Sequence, residues 1–278
     1  MQSFRTIYRE YQKTICQQLI FKTKDDILSI ADANSKLSVE LAREMLNHVG
    51  ISIGEKHVNS GKMTELFKQA TITFLDQTFR LLYQMQLGQR LLSVRHSISD
   101  NDESQEVNAL IKWIRANPEK SAALENYFIK PDIIIQSSAS TQDMRQENHE
   151  KAQEIFPLLP QQLNDSHSDT ALTAYISCNL TLSNNYSQNT PAEGLNLIRN
   201  RKGHTPHIVV VTAEPMPTRL ASLALGTGDI DCVYHFALLE LIEAAKDTKN
   251  EAVIESLEIM IEGNRLRDIS DLPFDLVT

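Results

Sequence analysis

The 278-residue chain contains no run of 18 or more apolar residues, so nothing in it reads as a membrane-spanning helix. Its N-terminal stretch carries Arg5, Arg9, Glu10, Lys13 and Lys22 in a polar setting, and the expectation is a chain without a secretory signal peptide. Cysteine is scarce. Cys16, Cys178 and Cys232 lie too far apart for a disulfide framework or a zinc spacing, which predicts reduced thiols in a cytoplasm. Glycine and proline number nine each, and no internal repeat or low-complexity tract appears. Only one tryptophan is present, Trp113, on a predicted amphipathic helix where it reads as core. Basic charge is also in deficit: 27 Lys and Arg face 36 Asp and Glu, for a net charge of −9. Taken as a total, that deficit argues against a polyanionic partner. What is present is enough apolar chain, 41% of residues, to bury a core and exclude global disorder.

Binding surfaces are local, so the distribution of charge matters more than its sum. Residues 1–100 hold 13 basic and 10 acidic side chains, and residues 171–220 hold 4 and 2. The acidity is concentrated in 101–170, with 6 basic against 12 acidic, and in 221–278, with 4 against 12. The densest basic cluster is Arg199, Arg201, Lys202 and His204. An acidic total therefore does not exclude a face that meets DNA.

Apolar spacing predicts a helix over 4–20, a second from Ser35 or Ser38 to His48 ended by Gly50, and a long third, preceded by Ser60, from Met63 to about Met85. One or two shorter helices are predicted over 104–127. The texture then changes. Tyr127–Ile129 and Ile133–Ile135 form a β-rich run with Asp132 inside it, and 139–170 is polar with a short helix near 144–156. A strand is predicted at 174–178, with Leu182 as an alternative end, and a buried one at 207–212, with helices over 190–200, 217–225, 233–246 and 251–262. Helices first, then strands alternating with helices, indicate an α/β sheet wrapped by helices.

Asp132 is the residue with chemistry. A carboxylate in an apolar strand is costly unless paired or metal-bound, and hard divalent cations take one or two carboxylates plus water and substrate phosphate. Three longer strings sharpen this: Glu193 to Pro215 (EGLNLIRNRKGHTPHIVVVTAEP), Ala224 to Leu238 (ALGTGDIDCVYHFAL) and Asp268 to Leu276 (DISDLPFDL). Together with the thinner matches at Ser60–Glu65 and Lys130-Pro131-Asp132, the chain resembles the NgoMIV-type restriction endonucleases, type II enzymes of the PD-(D/E)xK superfamily.

The resemblance implies an α/β restriction-endonuclease-like fold, a central mixed β-sheet flanked by helices. It implies one domain over 1–278, mainly helical over 1–127 and with the sheet core over 128–278. It further implies Mg²⁺-dependent hydrolysis of double-stranded DNA at a palindromic site, a homodimer or homotetramer, and a cytoplasmic place in a bacterial restriction–modification system. By position, Asp132 and Glu193 match metal-binding carboxylates and Glu65 matches a helix glutamate at the edge of the site. Ser177-Cys178 match the residues before the catalytic lysine, with the Cys178 backbone carbonyl a candidate metal ligand.

Two departures stand out. Asn179 occupies the catalytic lysine position, and asparagine donates a hydrogen bond without charge. Ser183-Asn184-Asn185-Tyr186 occupies the base-reading Arg-x-Asp-Arg segment, so the family's guanine-reading arginines are missing. Arg199, Arg201 and Lys202 are candidates for phosphate contacts, which set register rather than sequence. Lys130 shares a face with Asp132 if the strand is regular, and is either a substitute lysine or a solvent-reaching strand-end residue. Two readings follow: a nuclease in which Asn179 or another group replaces the lysine, and a homologue that binds DNA without efficient cleavage. His204 and His207 read as structural or phosphate-side, Gly226-Thr227-Gly228 as a tight turn, and the Cys178 thiol as no nucleophile.

Overall fold

The first three helices form where an apolar stripe meets a side chain able to cap it. The computed structural model describes residues 3–55, 58–85, 91–96, 132–138, 170–182, 205–226 and 229–277. Helix α1 (Phe4–Gln18) starts at Ser3, whose hydroxyl accepts the Thr6 N–H, and buries Ile7, Tyr11 and Ile15 one turn apart. Ser35 caps α2 (Lys36–Val49) by accepting the Ser38 N–H at 3.2 Å. Gly50 closes the same helix in the left-handed conformation (φ 63°), where its N–H reaches the Leu46 carbonyl. The cap of α3 (Ser60–Gln84) is Asn59, whose side chain accepts the Lys62 N–H at 2.9 Å, so Ser60 lies inside the helix.

Six strands make one sheet whose spatial order follows chain order: β1 (Leu91–His96), β2 (Ile133–Ser138), β3 (Thr170–Asn179), β4 (His207–Thr212), β5 (Cys232–His235) and β6 (Leu266–Asp268). The pairs β1–β2 and β2–β3 are antiparallel, and β3–β4, β4–β5 and β5–β6 are parallel, giving the expected mixed sheet. Every residue from Ile208 to Thr212 and from Cys232 to His235 is buried, so both faces of the sheet's middle are covered. The remaining helices are α4 (Pro217–Ala224), α5 (Leu238–Asp247), α6 (Glu251–Glu262) and α7 (Leu272–Val277). Buried side chains from α1–α3, from the strands and from α4–α7 belong to the same hydrophobic cluster. Full burial of each Leu, Ile or Phe in it is worth roughly 1.5–3 kcal/mol.

Several sequence expectations need correction. Residues 233–236 are not helical: Cys232–His235 is strand β5 and the helix begins at Leu238. The β-branched Val233 is flanked by aromatic and small side chains that fit a two-faced strand, and the parallel ladder to Val209–Thr212 decides the matter. Asp132 stands just before β2 rather than inside a strand. Strand β3 begins at Thr170, four residues ahead of its predicted start. Strands β1 and β6 and helix α7 were not expected at all, and β1 falls in the part read as mainly helical. The predicted elements at 104–127, 127–129, 144–156 and 190–200 lie outside the described residues.

Candidate active site

Strands β2 and β3 pair as far as Ile133↔Ile176, which sets Asp132 beside Ser177 and Cys178 where the ladder ends. Its carboxylate accepts the Cys178 backbone N–H at 2.8 Å. Burial pushes the Asp132 pKa up, the Cys178 N–H and Lys68 pull it back, and Glu65 pushes it up again. The Asp132 carboxylate is thus a partly desolvated anion within electrostatic reach of one carboxylate and one ammonium, both contributed by α3.

Helix α3 brings these two in at helical spacing. Glu65 and Lys68 are three residues apart, with Lys68 Nζ 3.6 Å from the Glu65 carboxylate. The Glu65 side chain is 65% exposed, that of Lys68 only 14%. One further turn along, Thr71 is buried. Its hydroxyl meets the Tyr11 hydroxyl at 3.1 Å and donates to the Phe67 carbonyl, and it also faces the Cys178 thiol. This stripe of α3 therefore packs on β3 at the residue that holds Asp132.

The pleat of β3 separates the roles of its last residues. Ala174, Ile176 and Cys178 are fully buried on one face, and Ser177 and Asn179 share the other. Burial raises the Cys178 thiol well above its ordinary value, as expected for a thiol that takes no nucleophilic part. Asn179 is 9% exposed, and its Nδ2 donates to Ser177 Oγ at 3.1 Å. The amide at the lysine position is thus engaged along its own strand.

Of the residues expected in the site, Asp132, Glu65 and Cys178 are brought together around the end of β2 and β3, and Asn179 follows on the opposite face of β3, against Ser177. Glu193, Ser183, Asn184, Asn185, Tyr186, Arg199, Arg201, Lys202, Lys130 and His204 lie outside the described residues. Among the described residues no three His, Cys, Asp or Glu side chains cluster as a metal site. The donor set that is present is nonetheless of the right chemistry. A half-buried aspartate with a glutamate nearby offers hard oxygens, and Mg²⁺ takes one or two carboxylates with water and phosphate completing its shell.

Lys68 was not foreseen. The available signal was its position three residues after Glu65, which sets both on one helix face. Two other buried carboxylates are structural. Glu214 accepts the Leu182 N–H at 2.8 Å and the Met216 N–H at 3.1 Å, and pairs with Arg219, which also meets Asp32. Asp268 accepts from the Leu238 N–H, the Ser270 N–H and the Tyr8 hydroxyl, tying α1, α5 and β6 together. His207 is the exposed first residue of β4, 3.8 Å from the Asp231 carboxylate.

The model of the NgoMIV restriction enzyme family matches residues 11–278. This chain belongs to that family. The type II restriction enzyme NgoMIV of Neisseria gonorrhoeae is 34% identical over 275 residues, covering 96% of this chain and 95% of that protein. For an NgoMIV-family chain, the six-stranded mixed sheet flanked by helices is the restriction-endonuclease-like fold expected from the sequence. Among the described residues no helix is long and apolar enough to cross a membrane.

Proposed function

We propose that this chain is an active type II restriction endonuclease that hydrolyses phosphodiester bonds of double-stranded DNA at a specific site with Mg²⁺. The observation that carries the proposal is the Asp132 carboxylate, held by the Cys178 N–H between β2 and β3 and flanked by Glu65 and Lys68 of α3, in a chain of this family. Asp132 would hold the cation, with Glu193, Glu65 and the Cys178 backbone carbonyl as the other donors. Bound there, Mg²⁺ supplies Lewis acidity toward the phosphate and toward an attacking water.

The chain's own residues do the rest. The Cys178 N–H fixes the direction of the Asp132 carboxylate, and burial strengthens that carboxylate's interaction with any cation. Arg199, Arg201 and Lys202 would contact phosphates and set the duplex in register. Ser183, Asn184, Asn185 and Tyr186 would replace the arginines that read guanine, and asparagine pairs naturally with adenine edges in the major groove. The target sequence is therefore not inherited from the guanine-reading segment that the resemblance implies. A homodimer or homotetramer would match the symmetry of a palindromic site, and a cytoplasmic restriction–modification system is the setting.

The test is cleavage of a pool of plasmids carrying randomised inserts, with Mg²⁺ or with a chelator, followed by sequencing of the ends. Recurrent metal-dependent ends at one palindrome are expected. A second reading, DNA binding without efficient cleavage, is favoured by Asn179 in the lysine position and by its engagement with Ser177. Duplexes retained at low salt but left intact in both Mg²⁺ and Mn²⁺ would establish it in place of the first.

A further inference from the structure

We propose that Lys68 of α3 supplies the positive charge that Asn179 does not, with its ammonium facing the phosphate to be cut beside Asp132 and Glu65. This rests on the nuclease reading above and names the group that makes it workable without a lysine on β3.

Three observations converge on Lys68. First, its side chain is 14% exposed, whereas Lys62 on the same helix is exposed, so this lysine is turned inward. An inward lysine lays its stem along apolar surface and aims its head at whatever negative charge the interior offers. Second, the carboxylate it meets belongs to the site itself: Glu65, at 3.6 Å on the exposed edge of the same helix face. Third, the direction is fixed on both sides along α3. Glu65 precedes Lys68 by one turn, and Thr71 follows by one turn with its hydroxyl against Cys178, the residue whose N–H holds Asp132. The stripe Glu65–Lys68–Thr71 thus runs along the end of β3, and its one cation lies between the carboxylate edge and the strand.

Asn179 does not compete for this role. It is nearly buried, and its Nδ2 is directed to Ser177 Oγ. A single ammonium beside two carboxylates leaves the three groups net negative by one charge, so a divalent cation on the carboxylates is what frees Lys68 to face a phosphate. When water adds to phosphorus and gives up one proton to solvent, and the P–O bond to the departing strand breaks, negative charge builds on the phosphate oxygens and the leaving oxygen takes a proton from a solvent water. Lys68 offsets that charge and is unchanged at the end.

The experiment compares the unaltered chain with Lys68→Met, Lys68→Arg, Asn179→Lys and the double variant Lys68→Met/Asn179→Lys, each first shown to keep its melting temperature. Single-turnover cleavage of the plasmid pool in Mg²⁺ gives the rates, and metal-free binding to a fluorescent duplex at varied salt gives the affinity. Lys68→Met should lower the cleavage rate about 10²–10³-fold, the effect of removing one preorganised charge-stabilising donor. Its salt slope, log K against log salt, should become shallower by about 0.9, one phosphate contact. Lys68→Arg should retain the full slope, and Asn179→Lys should restore cleavage to the Lys68→Met background. Cutting by the unaltered chain that Lys68→Met leaves undiminished overturns the assignment of Lys68 while the nuclease reading stands. No cutting by the unaltered chain in Mg²⁺ or Mn²⁺ overturns both. An unchanged salt slope in Lys68→Met with reduced cutting reduces Lys68 to a structural partner of Glu65 and also overturns the proposal.

Discussion

Replacing His235 with asparagine should flatten the acid side of the folding-stability curve. His235 ends β5 fully buried, with Nδ1 accepting the Ala237 N–H at 3.2 Å and the ring packed at 5.4 Å from that of Phe236. Burial lowers its pKa from 6.5 to about 4, because a buried imidazolium would lose its hydration. A histidine whose folded value is depressed contributes stability that is present above its unfolded value and lost as pH falls toward the folded one. With 6.5 unfolded and about 4 folded, two-state linkage gives a loss of about 2 kcal/mol between pH 7 and pH 5, approaching about 3 kcal/mol below pH 4. Asp132, Glu214 and Asp268, all raised by burial, act with the opposite sign, since their cost at neutral pH is relieved on protonation. Those contributions are common to both proteins and cancel in the difference. Asparagine keeps an acceptor for the Ala237 N–H and cannot titrate. Urea unfolding of both proteins across this range measures the effect. The gap between the two stability curves should narrow by about 2 kcal/mol from pH 7 to pH 5. Parallel curves would refute the argument that His235 is held neutral.

Two further substitutions probe the scaffold around the site. Glu214→Ala leaves the buried Leu182 N–H and the partly buried Met216 N–H without their acceptor and Arg219 without one partner. A loss of about 3 kcal/mol is expected in chemical denaturation, with Glu214→Gln markedly milder. Gly54→Ala would place a Cβ 2.4 Å from the Gln17 carbonyl oxygen, a backbone atom that cannot swing aside. It should lower stability by about 1–3 kcal/mol and depress the melting temperature, because the Gly54 N–H must stay on the Cys16 and Ile20 carbonyls.

What the sequence made legible follows from the range of the forces involved. Helices α1, α2 and α3 were readable because period, cap and stop are local: Ser35 and Gly50 act within four residues of themselves. Strand β4 was readable because a continuous β-branched run has few other uses. The four residues of β5 and three of β6 were not, since nothing in so short a string separates a strand from a helix start. Their identity comes from pairing, Val209↔Cys232 and Val233↔Leu266, across long stretches of chain. In the site, Asp132 stood out as a carboxylate in an apolar run and Glu65 through the family resemblance, and each feels the other's charge. Lys68 escaped because its meaning depends on α3 lying against Cys178, a contact between residues over a hundred positions apart. Glu214 and Asp268 were equally silent in sequence, as their work is to accept backbone N–H groups that only the fold brings near.

On the function proposed above, Asp132 organises phosphodiester hydrolysis at the end of β2 and β3. The direct measurement is metal-dependent cleavage of the plasmid pool by the unaltered chain and by Asp132→Asn, with duplex binding and melting temperature followed in both. Asparagine keeps the shape and an acceptor for the Cys178 N–H but removes the charge that would hold the cation. Cleavage that disappears in Asp132→Asn while folding and DNA retention persist is the predicted result. Cleavage that continues undiminished in Asp132→Asn would contradict the claim.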